Sequence, residues 1–325
     1  MARPTHLKVV EPGRTGVGPG ARYPLLGAVE ILPGSVEAAL IDSSGRVVAR
    51  ESGSYPADAA LSDVTAAIFA AASRCFGQTK PTGIGVAAGG LIDAHAGIIS
   101  EINDVPALHG FPIAEFLSSK FAVDTFVEHR ARLQVLGDRW FGWGRGESSF
   151  ASVSTGETLG VGILYQGNVL APNGGRSGAH MTVAVNGETC TCGERGCWKT
   201  LATAQWFRRR AAEFGFGRGV TLADVASAAE SSDAAAAGLI RQYAENVALG
   251  LVNIQQLCAP GLFILHGEAK DGGGVFRTTI EDRLRAVDSW TSSPQPPRVQ
   301  IAHIADDDVA LLGGAALVLS EGLQQ

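Results

Sequence analysis

No apolar run in this 325-residue chain reaches the roughly 18 residues that a membrane-spanning helix requires, so no membrane partner is expected. The opening stretch, MARPTHLKVVEPGRTGVGPGARYP, lacks the apolar segment of a secretory signal, which points to a cytoplasmic protein. Positive charge is short: 26 Lys and Arg stand against 32 Asp and Glu, a net charge of -6. That balance excludes a nucleic-acid-binding surface over the whole chain and leaves room only for a local basic patch. Low-complexity segments are missing. Cysteine is scarce and odd in number, at five, which is a poor basis for a disulfide framework.

Glycine, by contrast, is abundant: its 42 copies imply many tight turns and close backbone approaches. The length exceeds what one compact core usually covers, so two lobes are expected. Residues 25–31, 36–42 and 46–51 alternate or run apolar between turn residues and read as strands. Residues 57–76 carry apolar groups at helical spacing, 82–88 and 123–127 are short strand-like runs, and 128–141 reads as a helix. A second set follows, with strands at 150–155, 159–165 and 168–170, helices at 202–214 and 232–258, and a strand at 261–266. Strands alternating with helices, twice over, give two α/β lobes.

Three of the five cysteines fall in HMTVAVNGETCTCGERGCWK, from His180 to Lys199. Cys190 and Cys192 are too close for an easy mutual bridge. Cys190, Cys192 and Cys197, with His180 as the nearest imidazole, form a donor set that tetrahedral zinc accepts, and Gly193 and Gly196 let the loop curl. The alternative is a redox-active or merely buried cysteine cluster. Four protein donors leave no open position, so a zinc ion here is expected to be structural. Cys75 and Cys258 stand alone and read as buried helix residues.

The H-x9-C-x-C-G-x2-G-C pattern resembles the zinc motif of the ROK family, which contains bacterial sugar kinases and sugar-sensing transcriptional repressors. Other stretches resemble that family in order: LLGAVEILPGSVEAALIDSSGRVVAR its first hairpin, GIGVAAGGLIDAHAGIIS its next strand and turn, RWFGWGRG the end of its first-lobe helix, GETLGVGILYQGNVL its second-lobe phosphate hairpin and ALLGGAALVL its closing helix. The resemblance covers nearly the whole chain. It implies a two-lobed α/β actin-like ATPase (ribonuclease H-like) fold, with a cleft between the lobes and a zinc-stabilised loop. On this reading the chain divides into a tail at 1–22, an N-terminal lobe at 23–145, a C-terminal lobe at 146–305 carrying the zinc loop 180–199, and a closing helix at 306–325. The tail segment ARPTHLKVV resembles the linker after a repressor's DNA-binding domain. DNA is therefore a partner only if such a domain is missing from this chain. The family further implies a homo-oligomer, a dimer or tetramer.

The catalytic pattern of the resembled kinases is degraded. Their first phosphate loop, Asp-x-Gly-Gly-Thr, matches Glu30 to Gly34 here; Leu32 adds bulk, and Pro33 removes a backbone donor. The second nucleotide hairpin keeps Gly156 and Gly160. The catalytic Asn-Asp stretch matches His129 and Arg130, and a guanidinium cannot act as a base. The sugar-gripping glutamates match Ser177 and Lys199. Arg130, His129, Ser177 and Lys199 are therefore ligand candidates, with Asp104 and His109 in the loop that contacts sugar in the family. Three carboxylates give way to two cations and a hydroxyl; either nearby acids such as Glu128, Asp104 or Glu194 neutralise the cations or the cleft has collapsed, or the site takes an anionic metabolite such as a sugar phosphate or sugar acid. The expected function is a non-catalytic regulator, resembling the ligand-sensing and oligomerising effector domain of a sugar-responsive repressor. The alternatives are a kinase whose base is displaced to Glu128 or His129, and a scaffold without a small ligand. Trp140, Phe141 and Trp143 could line a cleft or pack a helix end. His266, where the family has a nucleotide-side glycine, could occlude that site or sit in an exposed turn.

Overall fold

The computed structural model describes residues 7–8, 24–102, 104–170, 178–217, 219–288 and 296–322. The chain divides into two compact units, one of residues 1–147, 167–176 and 304–325, the other of residues 148–166 and 177–303.

The first unit holds a short N-terminal strand β1 (Leu7–Lys8), then β2 (Leu25–Leu32), β3 (Ser35–Asp42) and β4 (Val47–Ser54) as an antiparallel meander. After helix α1 (Leu61–Phe76), β5 (Gly83–Ala88) joins β2 in parallel. A small hairpin of β6 (Leu91–Asp93) and β7 (Ile98–Glu101) and helix α2 (Ile113–Phe121) lead to β8 (Asp124–His129), which is parallel to β5. The sheet order is β4-β3-β2-β5-β8. Strand side chains alternate between faces. Val36, Ala38 and Leu40 of β3 pack with Val64 and Ile68 of α1, while Ala39 and Ile41 share a second core with Val309 and Leu312 near the C-terminus.

Helix α3 (Arg130–Phe141) follows β8 without a loop. It starts two residues later than the apolar periodicity predicts, because Glu128 and His129 complete the strand and His129 caps the helix. Likewise α1 starts at Leu61, four residues after the predicted start.

The second unit is built on β9 (Phe150–Thr155) and β10 (Gly160–Tyr165), an antiparallel hairpin. The two-residue β11 (Asn168–Val169) pairs with β1 and clusters with the first unit. Helices α4 (Ala204–Glu213), α5 (Leu222–Glu230) and α6 (Ala234–Cys258) precede β12 (Leu262–Gly267); α7 (Gly273–Asp288) and β13 (Arg298–Ile301) follow it. β12 is parallel to both β9 and β13. Asp233 caps α6 by accepting from the amides of Ala235 and Ala236. Tyr243, Phe207, Phe276 and Trp198 are fully or almost fully buried in this unit's core.

The last helix, α8 (Asp306–Gly322), belongs to the first unit and lies against its sheet and α3. Its glycines permit backbone contact. A Cβ on Gly313 would stand 1.9 Å from the Leu133 carbonyl oxygen of α3, and a Cβ on Gly85 of β5 would stand 2.1 Å from that of Gly314. This contact fixes the helix whose first turn carries Arg130.

Candidate metal centre and ligand site

The cysteine loop folds as a knuckle. His180 ends a 3-10 turn, Gly178–His180, and Thr182 pairs with Cys197 across the loop's base. Gly193 and Gly196 both have positive φ, and a Cβ on Gly196 would fall 1.6 Å from the Ala184 carbonyl oxygen, so only glycine fits there. Donor atoms of His180, Cys190, Cys192 and Cys197 all lie within 4.8 Å of one another. Cys190 Sγ is 3.6 Å from His180 Nδ1, and Cys192 Sγ is 3.6 Å from Cys197 Sγ. Thiolates about 2.3 Å from a shared tetrahedral ion stand about 3.8 Å apart, so the donor set and its spacing fit a closed four-coordinate metal site. Burial, then contact with Cys192 and Cys190, pushes the Cys197 thiol up to about 12; a bound cation is what would hold it as thiolate. The knuckle is anchored by Trp198, whose Nε1 donates to the Asn246 carbonyl of α6 at 2.9 Å.

In the first unit the position that the family resemblance aligns with a catalytic aspartate is occupied by an ion pair. Arg130 Nε donates to Glu30 Oε1, with Glu30 1% exposed and the Arg130 side chain 32% exposed. Two residues on, Arg132 Nη1 donates to Glu128 Oε1 at 2.9 Å, and the His129 amide donates to the same oxygen at 2.6 Å. Burial pushes the Glu128 carboxyl up, against the pull of Arg132 and the His129 amide. Burial, with Arg132 and Arg130 alongside, pushes His129 down to about 4. A neutral imidazole is what the local geometry requires, because Nδ1 accepts from the Ala131 amide at 3.2 Å. The acid that neutralises Arg130 is none of the nearby candidates Glu128, Asp104 or Glu194 but Glu30, 100 residues away in sequence.

The Leu32–Ser35 turn is closed. Gly34 has φ +74 after Pro33, the dihedral that a type II turn places after proline. Tyr55 donates its amide to the Gly34 carbonyl at 3.0 Å and its hydroxyl to that of Leu32.

In the second unit the Gly156–Gly160 hairpin is tied on two sides. The Ala269 amide donates to Thr155 Oγ1 at 2.8 Å, and the Ala204 amide to the Gly156 carbonyl at 2.8 Å. Arg208 grips both carboxylate oxygens of Glu157, at 2.6 and 2.8 Å. Beside it, burial pushes half-buried Glu268 up; Arg208 opposes this, while Glu157 and Asp271 add to it. Glu157, held by Arg208, and Glu268 thus lie near the hairpin where the family resemblance expects phosphates. His266 is fully buried in β12, opposite Ser154, which excludes the exposed-turn reading.

The remaining candidates are scattered. Lys199 Nζ lies 3.3 Å from Thr191 Oγ1 within the knuckle. Asp104 and His109 are exposed, and His109 Nε2 meets the Ile102 carbonyl at 2.8 Å. Ser177 lies outside the described residues, as does the tail 1–22 apart from Leu7–Lys8. Trp140 is buried and Trp143 is 47% exposed. Glu30 was missed as a partner in the sequence; its only signal was a carboxylate at the end of a buried strand. No helix among the described residues is long and apolar enough to cross a membrane.

The mixed five-stranded sheet, with α1 on one face and α8 on the other, and the second α/β unit define a sugar-kinase-like fold, consistent with the actin-like ATPase architecture. A profile of the ROK family matches residues 26–321, and the chain belongs to that family. A glucokinase of Thermotoga maritima is 34% identical over 131 residues, covering 39% of this chain and 40% of that protein. A xylose repressor of Bacillus spizizenii is 28% identical over 206 residues, covering 62% of this chain and 52% of the repressor. The solved ROK hexokinase of Thermus thermophilus superposes with a TM-score of 0.78 at 23% identity, over 93% of this chain and all of that one. Kinases and repressors are both among its relatives.

Proposed function

We propose that the chain is a non-catalytic ROK regulator, the ligand-sensing and self-associating effector module of a repressor-like protein. The observation that carries this reading is the ion pair between buried Glu30 and part-exposed Arg130 at the base position. A guanidinium held by a carboxylate neither abstracts a proton nor leaves room for one. Three further features support it. Pro33 has no N–H to offer a phosphate, acidic Glu157, Glu268 and Asp271 oppose a polyphosphate, and His266 fills space in the second unit. A displaced base finds no support: Glu128 is engaged by Arg132, and His129 Nδ1 caps α3. ATP consumption over a panel of neutral sugars and amino sugars tests this. The expected result is no turnover above the no-sugar blank, and none for Arg130→Asp; sugar-dependent turnover abolished by a change at Glu128 or His129 restores the kinase.

The metal we assign to the knuckle is zinc, held by His180, Cys190, Cys192 and Cys197 in a structural role. A closed site contributes its binding energy to folding. Cys192→Ser is expected to purify without zinc and to melt lower than the parent. Metal analysis finding no zinc in chelator-free wild-type protein removes the assignment.

For the ligand, the anionic expectation loses its main support, since Arg130 is neutralised by Glu30 and Arg132 by Glu128. An uncharged sugar-like ligand fits these balanced pairs better. DNA binding belongs to this protein only through a further domain, and self-association is carried over from the family.

A further inference from the structure

We propose that Cys192 is an oxidation site for hydroperoxides, resolved by Cys197 as a disulfide that opens the metal centre. The proposal goes beyond the regulatory reading and rests on the metal assignment, because the bound cation holds Cys197 as thiolate and is the ion released.

Access selects the reacting sulfur. Cys190 and Cys197 are buried at 5% and 0%, whereas Cys192 is partly exposed. Neighbours select the resolving sulfur. Cys192 Sγ meets Cys197 Sγ at 3.6 Å, whereas Cys190, which also contacts Cys197, is buried and lies only two residues from Cys192, too close for an easy mutual bridge. Backbone geometry selects which one moves. Cys197 precedes the buried Trp198, whose amide donates to the Met181 carbonyl at 2.9 Å. Cys192 sits in the turn closed by the Gly193 amide on the Cys190 carbonyl, and the space beside Gly193 is open to 4 Å. Closing the sulfurs to the roughly 2.05 Å of a disulfide needs a shift of about 1.5 Å, which this turn can supply. The other two cysteines stand outside this cluster: Cys75 Sγ donates to the Ala49 carbonyl at 3.6 Å, and Cys258 ends α6.

The chemistry balances. The Cys192 thiolate attacks a peroxide oxygen, the O–O bond breaks, and hydroxide leaves to be protonated to water. This gives a sulfenic acid on Cys192. The Cys197 thiolate attacks that sulfur, the S–S bond forms, and the S–O bond breaks with loss of a second hydroxide. Two thiolates, one hydrogen peroxide and two protons become one disulfide and two waters. His180 and Cys190 are then left as two donors of four, too few for a closed tetrahedral site.

The test uses the full chain, zinc-loaded and carrying Cys258→Ser to prevent cross-linking, titrated with hydrogen peroxide. Non-reducing peptide mapping should find Cys192 joined to Cys197. A chromogenic chelator should report zinc released in step with the disulfide, and dithiothreitol with zinc should reverse both. In Cys197→Ser, Cys192 should stop at sulfenic or sulfinic acid; if that variant does not fold, the map of the parent decides alone. Sulfinic acid at Cys192 without a disulfide, or a bridge to Cys190, overturns the proposal. Zinc retained beside the disulfide overturns the opening step. A protein found to hold no zinc fails the metal assignment while the map still tests the disulfide.

Discussion

His129 shows how one residue's surroundings set its protonation. Its imidazole is neutral because it is buried beside Arg132 and Arg130, and neutrality lets Nδ1 cap α3. Its ordinary value is 6.5 and its folded value about 4, so the unfolded chain takes up the proton first. The stability this contributes is complete above pH 6.5 and is lost as pH falls towards 4. Glu128 runs the other way: its raised value gives stability present below its ordinary 4.5 and lost as pH rises through the folded value. A single pH profile therefore mixes the two. His129→Asn isolates one of them, because asparagine keeps the cap without titrating. Between pH 7 and pH 4.5 the wild type should lose about 2–3 kcal/mol of unfolding free energy that the variant keeps. Urea titrations at the two pH values measure this, and parallel losses in both proteins remove His129 as the cause. The sequence marked His129 and Arg130 by their place before RWFG. It could not show that Arg130 meets Glu30, because that pair joins the end of β2 to the first residue of α3, 100 residues apart.

Among the elements, those with strong local patterns were legible. Strands β9 and β3 and the long α6 lie within a few residues of where the residue pattern put them, and α8 within a few residues of the closing helix that the family resemblance implied. Helix α7 was not assigned, because the Gly272–Gly274 run before it reads as a loop and its apolar positions are sparse. Contacts between helices left no local pattern either. The ALLGGAALVL stretch reads as a helix, yet nothing in it says that its glycines touch the backbones of α3 and β5. That contact sets up the next prediction. Alanine improves helix propensity over glycine by about 1 kcal/mol, but a methyl group 1.9 Å from the Leu133 carbonyl oxygen forces the helices apart. Overpacking wins, and Gly313→Ala should destabilise the protein by about 2–3 kcal/mol net. Denaturant midpoints give the number; an unchanged or raised midpoint means that α3 and α8 do not sit this close.

At the scale of the molecule, the balance of charge decides the ligand. Reading the sequence position by position, the cations at 130 and 199 looked like an anion site. The folded first unit pairs its cations, Glu30 with Arg130 and Glu128 with Arg132, so the positions near α3 present little net field. Lys199 remains as a single ammonium near Thr191 in the second unit. A ligand that binds the native state raises the melting midpoint, by about 2.7 kcal/mol of added stability at a hundredfold excess over Kd, which is a few degrees. The experiment compares glucose, xylose and N-acetylglucosamine with sugar 6-phosphates and uronic acids. Wild type should respond to a neutral sugar at least as strongly as to its charged counterpart. Glu30→Gln keeps the shape of the buried carboxyl but releases the Arg130 guanidinium, which grips carboxylates and phosphates through its two-pronged edge. In that variant the preference should turn to the anion and weaken with added salt. An anion preference already present in the wild type, and abolished by Arg130→Ala, means that Arg130 leaves Glu30 to meet its ligand and that the sensed molecule is charged.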